Sequence, residues 1–140
     1  LIVGGGVLQA KLQEHVASLG VSDAISLLGE RTNVHEYYAI ADALLSTSRI
    51  EGMSNVQLEA LAHGLPVIST KTGGTKAIIE EGKTGFFIEE ADPKVVATAI
   101  EKFVSADQVM MREAAKAKSH TFEIKNTVAA YEKLFTQYAR

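Results

Sequence analysis

Five short apolar segments recur along this chain, and each is separated from the next by a stretch of helical period. The segments are Leu1-Ile2-Val3, Ile25 to Leu28, Ala43-Leu44-Leu45, Val67 to Thr70 and Gly85 to Ile88. They lack the polar–apolar alternation of a half-exposed strand, so they read as strands buried on both faces. Strands that alternate with helices build a parallel sheet covered on both sides. The order β-α-β-α-β-α-β-α-β, followed by three helices, predicts an α/β fold: one doubly wound parallel-sheet domain over residues 1–140 with a helical C-terminal tail.

The helices between the strands are marked by their ends. Leu8, Leu12, Val16 and Leu19 recur at spacings of 4, 4 and 3 and predict a first helix, stopped by Gly20. Asn33 with Glu36 three residues on reads as a capping box for a helix reaching about Ala41. Ser54 or a neighbour caps a helix ending at His63, with Gly64 as its stop and Pro66 beyond. A short helix is expected around Ala77 to Glu80, after Gly73-Gly74 and before Gly82. Asp92-Pro93 supplies an N-cap and a first-position proline for a helix to Val104. Further helices follow over about 107–119 and 124–138. In the last, Ile124, Val128, Tyr131, Phe135 and Tyr138 fall on one face, with Lys125, Lys133 and Arg140 nearby.

Composition excludes several classes. Hydrophobic residues make up 46 % and charged residues 22 % of the 140, enough to bury a core. A net charge of −3 argues against nucleic acid as a partner. There is no cysteine, hence no disulfide framework and no thiolate chemistry, which fits a cytoplasmic setting. No apolar run approaches the ~20 residues that span a bilayer. The start at Leu1, inside an apolar triplet and without an initiator Met, leads us to expect a fragment of a longer protein.

In doubly wound sheets, ligands bind beyond the carboxyl ends of the strands. The loops there are Gly4 to Gly6, Gly29 to Asn33, Ser46 to Ser54 and Lys71 to Gly74. The richest is the stretch from Ser48 to Val67. It holds two carboxylates, Glu51 on the loop and Glu59 in the helix. The helix N-terminus between them offers free N–H groups and a dipole that favour an anion such as a diphosphate. Gly52 lets a ligand approach the backbone. A carboxylate one or two turns into the helix can accept hydrogen bonds from a ribose diol. A plainer account stands beside this one: Glu59 as a solvated helix residue and Glu51 as a turn residue.

This stretch resembles the E-x7-E segment of the family 4 (group 1) retaining glycosyltransferases of the GT-B fold. The likeness extends along nearly the whole chain. Leu27-Leu28-Gly29 resembles the family's F-L-G strand end, and Tyr38 to Ala43 its L-A-x-A-D-V segment. His63 to Thr70 resembles x-G-x-P-V-I-A-T. Gly73-Gly74 with Gly82 to Phe86 resembles G-G-x-x-E-x-I-x-x-G-x-T-G-x-L, and Asp92-Pro93 opens a segment like D-P-x-x-L-A-x-A-I.

The resemblance implies a Rossmann-like, C-terminal nucleotide-sugar-binding domain of a two-domain enzyme. This domain would lack its first strand and helix and the N-terminal acceptor domain. Glu51 matches the glutamate that faces the donor sugar and serves as the catalytic candidate, and Glu59 the one that holds the ribose. Gly52, Met53, Ser54, Asn55 and Val56 match the loop and helix start that meet sugar and diphosphate. Gly29, Glu30 and Arg31 lie where the base-binding loop begins, and Gly4 and Gly6 in the G-x-G near the acceptor cleft. The implied donor is a nucleoside diphosphate sugar such as a UDP- or GDP-sugar, with no cofactor and no metal. The acceptor is a glycan, a lipid-linked molecule or a small molecule bound by the missing N-terminal domain. The setting is cytoplasmic, compatible with peripheral association of the full protein at the inner face of the membrane. Two alternatives carry the same architecture: a nucleotide-sugar epimerase, and a non-catalytic binding module.

Two departures stand out. Ala77 takes the place of the glutamate in G-G-x-x-E. The family's Arg and Lys that stabilise the leaving diphosphate would precede Leu1. Charge stabilisation is usually the largest catalytic contribution, so the chain by itself is expected to be inactive.

Other signals carry less. Gly4 to Gln9 is similar to the dinucleotide fingerprint G-x-G-x-x-G, but Gln9 replaces its third glycine and no strand-end acid follows. A plain strand-to-helix turn is expected there. His15, His35, His63 and His120 have no ligand spacing, and no D-x-D pattern occurs. His63 reads as a surface residue favoured by the helix C-terminus. Ser54 has no His or Asp nearby to make it a nucleophile, which leaves capping as its role. Lys71, Lys76 and Lys83 read as a solvated face, with a weak phosphate-facing patch as the alternative.

Overall fold

A computed structural model describes residues 1–139; Arg140 lies outside the described residues. The strands are β1 (Ile2–Val3), β2 (Leu27–Gly29), β3 (Leu44–Ser46), β4 (Val67–Thr70) and β5 (Gly85–Ile88). The helices are α1 (Gln9–Ser18), α2 (Val34–Ile40), α3 (Asn55–Ala62), α4 (Thr75–Ile78), α5 (Pro93–Val104), α6 (Gln108–Ser119) and α7 (Ile124–Tyr138). A 3₁₀ turn over His120–Phe122 joins α6 to α7.

Every strand pairs in parallel, as the alternation of strands and helices requires. β1 pairs with β2, and β3, β4 and β5 form a second sheet in that order. Leu44 pairs with Val67, and Val67 with Gly85. The chain divides into two compact units, Leu1–Tyr37 and Tyr38 onward, with the boundary inside α2. In the first unit, α1 lies between the paired strands in sequence and contributes the buried Val16.

The second unit is covered on both faces of its sheet. Side chains alternate across a strand, so Val67 and Ile68 point to opposite sides of β4. Val67 joins Ala60, Leu61 and Leu65 of the α3 region, Ile78 and Ile79 of the α4 region, and Ala115 of α6. Ile68 joins Ile88 of β5, Ala99 and Phe103 of α5, and Met111 of α6. Fully burying each of these large side chains is worth roughly 1.5–3 kcal/mol. The expected double winding therefore appears as two clusters separated by one strand.

Helix ends follow their caps where the sequence supplies a strong one. The Asp92 carboxylate accepts from the Lys94 N–H at 2.9 Å, with Pro93 next to it at N1. Asp107 accepts from the Met110 N–H at 3.1 Å. α3 stops at Gly64, whose φ of 72° is the left-handed value the position needs. There Gly64 N–H donates to Leu61 and Leu65 N–H to Ala60, a paired closure of the last turn.

Ile2 and Val3 of β1 and Leu45 of β3 are exposed where strands buried on both faces were expected, and three further details differ from the sequence reading. β2 begins at Leu27, because Ile25 N–H still donates to Val21 in the preceding turn. α4 begins at Thr75 and ends at Ile78, earlier than expected. Its start is fixed by the buried Thr75 hydroxyl, which accepts from Thr72 N–H and donates to the Thr72 carbonyl, both at 2.9 Å. The residues after it, Ile79 to Lys83, form a turn in which Glu80 N–H donates to the Thr84 hydroxyl at 2.8 Å. The third detail is the 3₁₀ turn, which no sequence signal announced.

α6 holds neighbouring segments by their carbonyls. Arg112 donates to the Ala41 carbonyl and lies 3.5 Å from the Asp42 carboxylate, and Lys116 donates to the Ala62 carbonyl at the end of α3. A cation at a helix C-terminus is favoured there. α7 is exposed along its length, including Ile124, Tyr131, Phe135 and Tyr138.

The loops at the ends of β3 and β4 are locked together at Gly74. A Cβ placed on Gly74 would lie 1.9 Å from the Gly52 carbonyl oxygen and 2.9 Å from the Met53 Cα. Both atoms belong to backbone, so no flexible side chain can yield. At Gly52 itself, a Cβ meets nothing within 4 Å. We therefore expect Gly74→Ala to cost about 1–3 kcal/mol of stability in urea unfolding, while Gly52→Ala stays within about 0.5 kcal/mol. Equal losses for the two variants would contradict the close approach.

Candidate functional site

Glu51 sits on the loop leaving β3 and is half-buried. The Ser48 hydroxyl donates to its Oε1 at 3.0 Å. The Thr70 hydroxyl, at the end of β4, donates in turn to the Ser48 carbonyl. The Gly73-Gly74 turn supports the same loop from β4, with the Glu51 carbonyl 3.7 Å from a Cβ placed on Gly73. Glu51 is thus aimed by a chain of contacts that begins on a buried strand. Gly52 and Met53 beyond it are exposed.

α3 starts immediately after. Ser54 is buried, has extended backbone (φ −80°, ψ 116°) and accepts the Leu58 N–H on its carbonyl at 3.1 Å. It holds the N-cap position, as expected. Its hydroxyl makes no capping hydrogen bond, however, which corrects the role assigned to that side chain. The first-turn amides of α3 therefore receive nothing from Ser54, while Asn55 and Val56 are exposed. Such amides are donors available to an anion.

One residue deeper, Gln57 is fully buried and donates from Nε2 to the Ser69 hydroxyl at 3.0 Å. This bond ties the first turn of α3 to β4. The Gln57 Oε1 has no partner among the described residues.

Glu59 lies on the second turn of α3 and is half-buried, so it is not a freely solvated helix residue. The Tyr38 hydroxyl, from α2, donates to its Oε2 at 3.0 Å. The Tyr38 ring also stands against His63, with centroids 5.1 Å apart. His63 in turn donates from Nδ1 to the Glu59 carbonyl at 2.8 Å. This matches the expected surface histidine at a helix end and adds a specific partner. Burial, and then the hydrogen bond and charge of Glu59, push the Tyr38 phenol up to about 12. It stays a protonated donor throughout the neutral range.

The remaining sequence candidates fall in the first unit. Gly4 N–H donates to the Gly29 carbonyl at 2.8 Å. Gly29 has φ 70°, and a Cβ there would meet the Gln9 side-chain amide at 3.2 Å. Gln9, in the place of a third fingerprint glycine, thus packs on the strand end, in keeping with a plain turn. A Cβ on Gly5 would touch the Glu30 Cβ at 3.5 Å, while one on Gly6 meets nothing. Glu30 and Arg31 are exposed. The structure thus gathers Gly4 to Gly6 with Gly29 and Glu30, and separately gathers Glu51 to Glu59 with Gly73 and Gly74.

Sequence reasoning did not single out Tyr38, Gln57 or Thr70 as parts of a site. Their partners lie 21, 12 and 22 residues away, beyond any local pattern. Lys71 is paired with Glu89 at 2.9 Å and lies over the Phe87 ring, so it is not a loose solvated charge. Among the described residues no group of His, Asp or Glu is arranged to hold a metal, and no helix is long and apolar enough to cross a membrane.

The family of glycosyl transferases group 1 matches residues 1–120. The chain is 29 % identical to N-acetyl-alpha-D-glucosaminyl L-malate synthase of Bacillus anthracis, over all of this chain and 38 % of that protein. It is 32 % identical to D-inositol 3-phosphate glycosyltransferase of Corynebacterium urealyticum, over 94 % of this chain and 32 % of that protein. It thus spans about a third of the length of these curated relatives. Among solved structures, Anabaena Alr3699/HepE in complex with UDP and glucose superposes with a TM-score of 0.83 at 24 % identity, covering 96 % of this chain and 39 % of that one. WaaG, a glycosyltransferase involved in lipopolysaccharide biosynthesis, gives 0.73 at 28 % identity over 85 % of this chain and 33 % of its own. The first likeness speaks to the fold alone, and the fold agrees with the parallel α/β architecture and helical tail seen here. A match over 120 of 140 residues, continuous from β1 to the 3₁₀ turn, settles the family: the chain belongs to the group 1 glycosyltransferases.

Proposed function

We propose that this chain is the donor-binding domain of a retaining, metal-independent glycosyltransferase of family 4. Its protein moves a sugar from a nucleoside diphosphate sugar to an acceptor hydroxyl. The observation that carries the reading is the start of α3, uncapped by the Ser54 side chain and flanked by two half-buried carboxylates, each held by a hydroxyl. In this reading the α3 amides take the diphosphate, Glu51 orients the sugar and Glu59 accepts from the ribose diol. Gly52, Met53, Asn55 and Val56 line the approach. The names of the relatives, N-acetyl-alpha-D-glucosaminyl L-malate synthase and D-inositol 3-phosphate glycosyltransferase, support transfer to a small hydroxyl-bearing acceptor.

The chemistry then follows. The bond from the anomeric carbon to the diphosphate oxygen breaks, and the acceptor oxygen bonds to that carbon from the same face. The acceptor proton passes to the departing diphosphate. A cytoplasmic protein, with peripheral contact to the membrane where the acceptor is lipid-linked, suits this reaction.

Binding tests the reading first. In a thermal-shift panel of UDP, GDP, ADP and NAD, one nucleoside diphosphate stabilises the protein by about 2.7 kcal/mol at 100 times its Kd. Glu59→Gln weakens that ligand about 10- to 100-fold, the loss of a hydrogen bond to a charged group. Stabilisation by NAD alone would contradict the proposal. Turnover tests the rest. The protein in its natural length keeps the donor's anomeric configuration in the product, read by NMR, and keeps its rate in EDTA. The 140-residue chain alone transfers no sugar. An inverted product, or transfer by the isolated chain, would overturn those parts.

A further inference from the structure

Glu59 is gripped at both ends of its residue by groups that have no role in the reaction described above. Its carbonyl accepts from the His63 Nδ1–H at 2.8 Å, one helical turn on. Its carboxylate accepts from the Tyr38 hydroxyl at 3.0 Å. The Tyr38 ring connects the two, packed on the His63 imidazole and against the cluster of Ala60, Leu61 and Leu65. Tyr38 comes from α2, 21 residues before Glu59. A separate element therefore fixes the direction of this carboxylate.

A glutamate side chain has three rotatable bonds and loses their freedom whenever it is fixed by a ligand. A side chain already fixed pays that cost during folding, before the ligand arrives. An ionised carboxylate has about four acceptor directions, so one bond from Tyr38 leaves capacity for both hydroxyls of a vicinal diol. Glu59 is half-buried, and the phenol remains protonated at neutral pH, so the tie persists where the protein works.

We propose that Tyr38 is a positioning residue, which holds the Glu59 carboxylate in the orientation that receives the vicinal diol of a nucleotide ribose. The inference rests on the assignment of Glu59 to the ribose. It adds that α2, through one hydroxyl, sets the affinity for the ribose without touching the ligand.

The test is a comparison of Tyr38→Phe, Glu59→Gln and the double variant in the protein of natural length. The probes are the nucleoside diphosphate chosen from UDP, GDP and ADP and its 2′,3′-dideoxy counterpart, each by calorimetry. Phe keeps the ring against His63 and removes only the donor. Tyr38→Phe weakens the ribose-bearing diphosphate about five- to tenfold and leaves the dideoxy compound within about twofold. Added to Glu59→Gln, it causes no further loss, because the two act through one carboxylate. Equal weakening of both probes would assign Tyr38 a general structural role and overturn the inference. So would an unchanged Tyr38→Phe beside a weakened Glu59→Gln, which leaves the ribose assignment standing. An unchanged Glu59→Gln would remove the ribose assignment and the inference together.

Discussion

The contact on which the site depends is the approach of Gly74 to Gly52. Two loops from the ends of adjacent strands meet backbone to backbone, with 1.9 Å between a Cβ at Gly74 and the Gly52 carbonyl oxygen. Only glycine permits it. The loop carrying Glu51 is long enough to wander, since it runs from Thr47 to Ser54 without regular structure. The Gly74 turn prevents that from below, and the Thr70 hydroxyl holds Ser48 from the side. Both restraints originate on β4, all four residues of which are buried. The stiffness of a buried strand is thus passed to an exposed loop over two contacts.

α3 shows a division of labour between its ends. Its C-terminus is closed repeatedly: by the Gly64 turn, by Lys116 from α6 and by His63 on the Glu59 carbonyl. Its N-terminus is left without a capping hydroxyl although a serine stands in the N-cap position. Omitting such a cap forgoes about 1 kcal/mol. Gln57, bonded to Ser69, fastens the first turn to β4 from the buried side. A helix anchored by its far end and its inner face can leave its leading amides to a ligand.

Much of this was legible in the sequence, for definite reasons. β4, β5 and α5 lie where they were expected because glycines and the Asp92-Pro93 pair punctuate them, and α7 because Ile124, Val128, Tyr131, Phe135 and Tyr138 keep one helical face. Local chemistry also gave the stop of α3 at Gly64 and the E-x7-E pair. Less was legible where an individual hydrogen bond decides. α4 starts two residues earlier than expected because the Thr75 hydroxyl closes the turn on Thr70 and Thr72. The Ser54 hydroxyl, expected to cap, does not. The ties of Tyr38 to Glu59 and of Arg112 to Ala41 span 21 and 71 residues, and no periodicity encodes them. The glycine pair at positions 73 and 74 was visible as a motif, but its purpose, contact with the Gly52 backbone, was not.

In the proposed function the start of α3 and its two carboxylates form the donor site, held in place by β4. Amide chemical-shift mapping is its direct test. On titration with the nucleoside diphosphate that stabilises the protein, the largest shifts are expected at Gly52 to Gln57, with smaller ones at Glu59 and at Gly73-Gly74. Shifts concentrated on α7 or on the turn from Glu80 to Thr84, with the α3 amides unmoved, would contradict it.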